Sequence, residues 1–104
     1  MKPLMIAAFA AAGLVCAAVA KAQDAEALFN KSGCTVCHAV DKKVVGPSLK
    51  EISAKYKGDK TAEAKLADKV KKGGSGVWGQ VPMPPNAAVK DEDIKTIVQW
   101  ILTK

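Results

Sequence analysis

The sequence predicts an all-α fold: one small domain of about four short helices and one long irregular loop. Three observations lead there. Apolar residues recur at helical spacing after residue 48. Capping residues, glycines and prolines bracket those segments. No run of alternating or β-branched strand residues flanks the cysteine pair at 34 and 37.

Taken in order, Asp24 can N-cap a first helix running to about Lys31, with Leu28 facing inward and Gly33 ending it. Gly46-Pro47 reads as a turn. Leu49, Ile52 and Tyr56 stand at i, i+3 and i+7, a short helix stopped by Gly58. Thr61 to Lys72 forms the third helix, with Ala62, Leu66, Lys69 and Val70 on or near one face. Lys71-Lys72 and Gly73-Gly74 suit its C-terminus. Residues 73–90 hold glycines and three prolines without helical period, and so form a loop. Asp91-Glu92-Asp93 places negative charge at the start of the last helix, where Ile94, Ile97, Val98 and Ile101 make a buried stripe.

The chemistry sits in Cys34-Thr35-Val36-Cys37-His38, a C-x-x-C-H sequence and the attachment signature of c-type haem. Two cysteines about one turn apart can reach the two vinyl groups of a porphyrin and form thioethers, and the adjacent histidine then lies under the iron. Rival readings are weaker. A structural zinc site wants four ligands. Cys34, Cys37 and His38 have no second pair, because the remaining cysteine is Cys16 near the N-terminus. A thioredoxin-like pair would sit beside a βαβ pattern. A plain Cys34–Cys37 disulfide is the blandest alternative. On the haem reading Phe29 lies near the porphyrin. Such a group also supplies apolar mass to a domain too small to build much core of its own.

A histidine on one side of the iron leaves the other side open. After residue 22 the chain has no second histidine, and its only methionine is Met83. Met83 stands in Val81-Pro82-Met83-Pro84-Pro85, where prolines fix φ and stiffen the backbone. His38 and Met83 are therefore the expected metal ligands, although a methionine is more commonly a core filler.

The N-terminus reads as an address. Met1-Lys2-Pro3, an apolar stretch from Leu4 to Ala20 and Ala20-Lys21-Ala22 have the layout of a secretory signal peptide. Residues 1–22 are the expected leader, and residues 23–104 the expected domain. A retained anchor would be short and alanine-rich for a span. Lipidation at Cys16 would follow Gly13 and Val15, which suit a lipobox poorly. All 16 basic residues are lysine. Beyond residue 22 there are 14 lysines against 10 acids, a net charge of +4. With no arginine and few aromatics, nothing favours nucleic acid. The lysines suit a solvated surface. A lysine rim that steers acidic partners is the sharper reading, with Lys31, Lys42, Lys43 and Lys71 as candidates.

The segments Gly33 to His38, Val45-Gly46-Pro47-Ser48, Gly73 to Gly79, Pro82-Met83-Pro84-Pro85-Asn86 and Gln99-Trp100-Ile101-Leu102 resemble, in order, the class I bacterial cytochromes c of the c-551/c-552 (c8) group. The resemblance implies a class I cytochrome c fold wrapped around one haem c, bound through Cys34 and Cys37, with the N- and C-terminal helices crossing. It implies that Pro47 accepts a hydrogen bond from the imidazole of His38, that Trp78 contacts a haem propionate, and that Asn86 orients the axial methionine. Lys69 stands where some members carry a propionate-pairing arginine, but lysine lacks the planar fork. Trp100 is expected in the core.

The function implied is that of a periplasmic, non-enzymatic carrier of single electrons in a respiratory chain. It would be a monomer that docks on redox proteins, such as a quinol–cytochrome c reductase as donor and a nitrite reductase, peroxidase or oxidase as acceptor. The alternative is a small haem enzyme or gas sensor with a displaceable Met83. That class usually wants a distal His or Arg, and neither is to hand here.

Overall fold

A computed structural model describes residues 24–104. The expected leader, its cleavage site and Cys16 lie outside the described residues. Among the described residues there are four helices and no strand, only two isolated bridges. The first helix, α1, covers residues 24–31. A 3-10 turn spans Cys34–Val36, followed by α2 (Leu49–Lys55), α3 (Ala62–Lys72) and α4 (Asp91–Ile101). Asp24 is itself helical rather than the flanking cap residue.

Local chemistry explains the ends. Ser48 is extended, and its Oγ accepts from the Glu51 N–H at 3.1 Å, capping α2. The two N–H groups before that one are taken from outside the helix. Leu49 donates to the Ala39 carbonyl at 2.9 Å and Lys50 to the Val40 carbonyl at 3.0 Å. The start of α2 is thus stitched to the chain just after the C-x-x-C-H motif. Thr61 stands outside α3 as its cap residue, because its N–H and hydroxyl are both given to Asp59 Oδ1, at 2.8 and 2.6 Å. Those bonds hold the Asp59 carboxyl below the usual range. Lys69, Lys71 and Lys72 close α3 and the acids Asp91, Glu92 and Asp93 open α4, each complementing the helix dipole.

The core gathers on α4. Its stripe Ile94, Ile97, Val98 and Ile101 is buried, and Trp100 is buried with it. α3 and α2 both pack against this helix. From α1, Ala25 and Phe29 join the same cluster, and Phe29 meets Trp100 with ring centroids 5.3 Å apart, tilted by 55°. That geometry is favourable beyond area alone. Leu49 and Ile52 complete the cluster from α2, with Leu28, Tyr56 and Leu66 at its edge. Ser53 Oγ donates to the Leu102 carbonyl at 2.9 Å and ties the end of the chain to α2.

Ile94 is buried in this core but is not part of the cavity wall described below. Ile94→Ala is expected to lower the unfolding free energy by about 2–5 kcal/mol. A guanidinium titration of the holoprotein checks this, with the visible spectrum at zero denaturant unchanged.

Candidate cofactor site

A largely apolar cavity of about 360 Å³ opens between the 3-10 turn, the 44–47 turn, α2, α3, the 73–90 loop and α4. Cys34, Cys37, His38, Pro47, Trp78 and Met83 all line it, as do Phe29, Leu66, Lys69, Ile97 and Ile101. The residues read from sequence as its chemical groups thus converge on one space, with the exception of Asn86.

The motif is shaped by a left-handed Gly33, φ 81°, which feeds the 3-10 turn. The Cys34 carbonyl accepts from the His38 N–H at 2.9 Å and from the Cys37 N–H at 3.2 Å. No disulfide joins the two cysteines. Before haem is attached, burial pushes the Cys34 thiol above its ordinary pKa, partly offset by a backbone hydrogen bond. Among the described residues no three His, Cys, Asp or Glu side chains gather as a metal cluster.

The orientation of His38 follows from one bond. Its Nδ1 lies 2.7 Å from the Pro47 carbonyl oxygen. A carbonyl can only accept, so Nδ1 carries the proton and Nε2 keeps its lone pair free. The turn that supplies this carbonyl is itself held by the motif. The Cys37 carbonyl accepts from both Val45 N–H, at 3.2 Å, and Gly46 N–H, at 2.8 Å.

Met83 is held by its backbone. It exchanges two hydrogen bonds with Gly74, Met83 N–H to Gly74 oxygen at 2.8 Å and Gly74 N–H to Met83 oxygen at 3.0 Å. Asn86 reinforces this from outside the cavity wall. Its backbone N–H and its Nδ2 both donate to the Val70 carbonyl, at 3.0 and 3.2 Å, and Nδ2 also reaches the Pro84 carbonyl at 3.3 Å. Here Asn86 pins the loop to the end of α3.

Trp78 stands at the rim, 40% exposed, with the Lys55 ammonium 5.6 Å from its ring centroid. Lys55 lies also 5.9 Å from the Tyr56 ring, a cation–π link from α2 to the loop that the sequence pattern did not reveal. Lys69 lines the cavity from α3. Of the four lysines proposed for partners, Lys31, Lys42 and Lys43 are exposed. Lys71 is engaged within the fold, 3.0 Å from Asp91 Oδ1 and donating to the Val89 carbonyl at 2.9 Å. It joins α3 to the start of α4 and is a poor candidate for docking.

A small helical domain that sets C-x-x-C-H against an apolar cavity falls in the class of c-type haem proteins. The Cytochrome c family profile matches residues 22–104. The chain is 46% identical to cytochrome c-551 of Pseudomonas aeruginosa over 104 residues, covering all of this chain and 99% of that one. It is 52% identical to cytochrome c-552 of Nitrosomonas europaea over 103 residues, covering 99% of this chain and 98% of that one. The crystal structure of wild-type Nitrosomonas europaea cytochrome c552 superposes with a TM-score of 0.73 at 54% identity, covering 75% of this chain and 96% of that one. The chain belongs to the cytochrome c family and carries one covalent haem c through Cys34 and Cys37. Two cysteines with no disulfide between them, a histidine with Nε2 unengaged and a methionine around one apolar space fit that group.

Gly73 has no substitute at its position. Its φ of 71° and ψ of −165° lie in a region essentially reserved for glycine. A Cβ there would run into the Met83 carbonyl oxygen and lie 2.8 Å from Pro85 N. Gly73→Ala is expected to cost roughly 1–3 kcal/mol of stability. Hydrogen exchange provides the check: the Gly74 and Met83 amides should lose protection before those of α4.

Proposed function

We propose that this monohaem cytochrome is a periplasmic carrier of single electrons whose iron ligands are His38 and Met83. The observation that carries the reading is the cavity itself, which brings Cys34, Cys37, His38 and Met83 together from separate segments. The bound haem supplies a one-electron ferric/ferrous couple. The chain does the rest. Pro47 fixes the imidazole with Nε2 as the free donor and, by accepting from Nδ1, makes that donor more basic. The Gly74 pairing and the Asn86 bonds hold the Met83 backbone, so a weak thioether ligand loses little freedom on binding. A thioether also favours the ferrous state and raises the potential. The indole of Trp78 and the ammonium of Lys69, both on the cavity wall, suit the propionate end.

Around the mouth, Val45, Val77 and Val81 are exposed apolar side chains of the cavity wall, with Lys43 beside them. An apolar collar with nearby lysines suits brief docking on acidic redox proteins. A reductase on the quinol side and a nitrite reductase, peroxidase or oxidase on the other fit that chemistry, with the carrier monomeric between encounters. The reading takes residues 1–22 as a leader and 23–104 as the mature domain, from the apolar stretch and the Ala20-Lys21-Ala22 site.

Absorption spectra of the oxidised and reduced protein, with and without carbon monoxide, test the ligands. The expected result is a low-spin spectrum with a weak red sulfur-to-iron band in the ferric form, and no response to carbon monoxide. Met83→Ala should abolish that band, admit carbon monoxide and lower the potential. An unchanged band and potential in the variant would exclude Met83 and shift the reading toward an open-site haem protein. Docking is checked separately. Stopped-flow reduction of an acidic redox protein should slow as ionic strength rises, since the Debye length shortens from about 30 Å at 0.01 M to about 10 Å at 0.1 M.

A further inference from the structure

Gly46 is unlike the other glycines of the described chain. Gly33, Gly58, Gly73, Gly74, Gly76 and Gly79 all have positive φ, where a side chain is disfavoured. Gly46 does not. Its φ lies outside the range that calls for glycine, so its smallness answers to a neighbour. That neighbour is His38. A Cβ on Gly46 would lie 2.7 Å from His38 Cε1, 3.1 Å from Nδ1 and 3.3 Å from Nε2. The similar distances to Cε1 and its two flanking nitrogens place that point over the face of the ring, not at its edge. Among the described glycines only Gly73 is more tightly opposed, and there the obstacle is backbone.

Resting on His38 as an iron ligand, we propose that Gly46 is a positioning residue that sets the rotation of the imidazole. Pro47 fixes one atom of the ring, Nδ1 at 2.7 Å, and a single hydrogen bond leaves the ring free to turn about it. Gly46 closes that freedom by lying against the ring face. It cannot retreat easily, because its N–H is bonded to the Cys37 carbonyl at 2.8 Å and its own carbonyl accepts from Val44 N–H at 3.3 Å. Turn and ring therefore form one unit: Pro47 selects the tautomer and Gly46 the plane. A methyl group at position 46 must rotate or push the imidazole and lengthen its bond to Pro47. A ligand that loses that acceptor becomes a poorer donor and favours the ferric state less, so the potential rises.

The test uses the holoprotein and Gly46→Ala, with Gly58→Ala as the control. Gly58 has φ +80° with no atom within 4 Å of an added Cβ, so its variant strains the backbone away from the cavity. The expected result for Gly46→Ala is retained covalent haem, an altered pattern of haem methyl proton shifts in the ferric state and a higher potential. Gly58→Ala should lose stability while keeping both the wild-type shift pattern and the potential. If Gly46→Ala is destabilised but keeps the wild-type shifts and potential, the proposal is overturned. Should Gly46→Ala fail to accumulate, the ferrous wild type decides. A dipolar contact between the Gly46 α-protons and the His38 ring protons supports the proposal, and its absence overturns it. A wild-type ferric spectrum without the strongly shifted ring protons of an iron-bound imidazole would instead overturn the His38 ligation on which the proposal rests, and is told apart from these outcomes because it shows in the unmutated protein.

Discussion

Everything in this domain is arranged around one shared surface. Phe29, Leu49, Ile52, Ile97 and Ile101 belong to the hydrophobic cluster and also line the cavity. The same side chains cannot complete the core without something apolar on their other side. A chain of this length buries too little surface to be comfortable without help. Haem in that space converts a half-lined wall into an interior, so attachment of the cofactor and consolidation of the fold reinforce one another. The helices are short because each has only to present a few residues to a common centre.

The two segments expected to meet the iron are controlled differently. His38 is governed by a local unit, where the motif carbonyl of Cys37 holds the 45–46 turn and the turn holds the ring. Few bonds are needed because the residues involved are close in sequence. Met83 lies in a long loop and is governed by distant anchors, with Gly74 and Val70 reaching it from the end of α3. Lys71 then ties that end of α3 to Asp91 and Val89. Each exposed ion pair contributes little alone. Together with the buried stripe of α4 they keep the loop in register with the core.

Much of this was legible in the chain. The stripe on α4 was fixed by spacing, and the cofactor by C-x-x-C-H, because those patterns have few physical alternatives. The hydrogen bond to Pro47 could be expected only through resemblance, since no spacing rule connects a histidine to a carbonyl nine residues on. The start of α2 at Leu49 follows from the apolar spacing, and Ser48 and Glu51 mark it a second time with the S-x-x-E pattern of a capped helix. The pairing of Gly74 with Met83, the Lys55–Trp78 contact and the engagement of Lys71 depend on how the loop closes in three dimensions. Local periodicity carries no trace of that. Asn86 illustrates the limit well: its place after two prolines marks a turn, but its choice of the Val70 carbonyl is decided by where α3 ends.

The contact between Phe29 and Trp100 joins the first described helix to the last. A chain made or translocated N-terminus first exposes the C-x-x-C-H segment well before Trp100 is available. Closing so long a loop is also slow compared with forming a local turn. The order of events is thereby built into the topology. The thiols meet solvent while the chain is still open, and the late arrival of α4 shuts the door behind whatever has been attached.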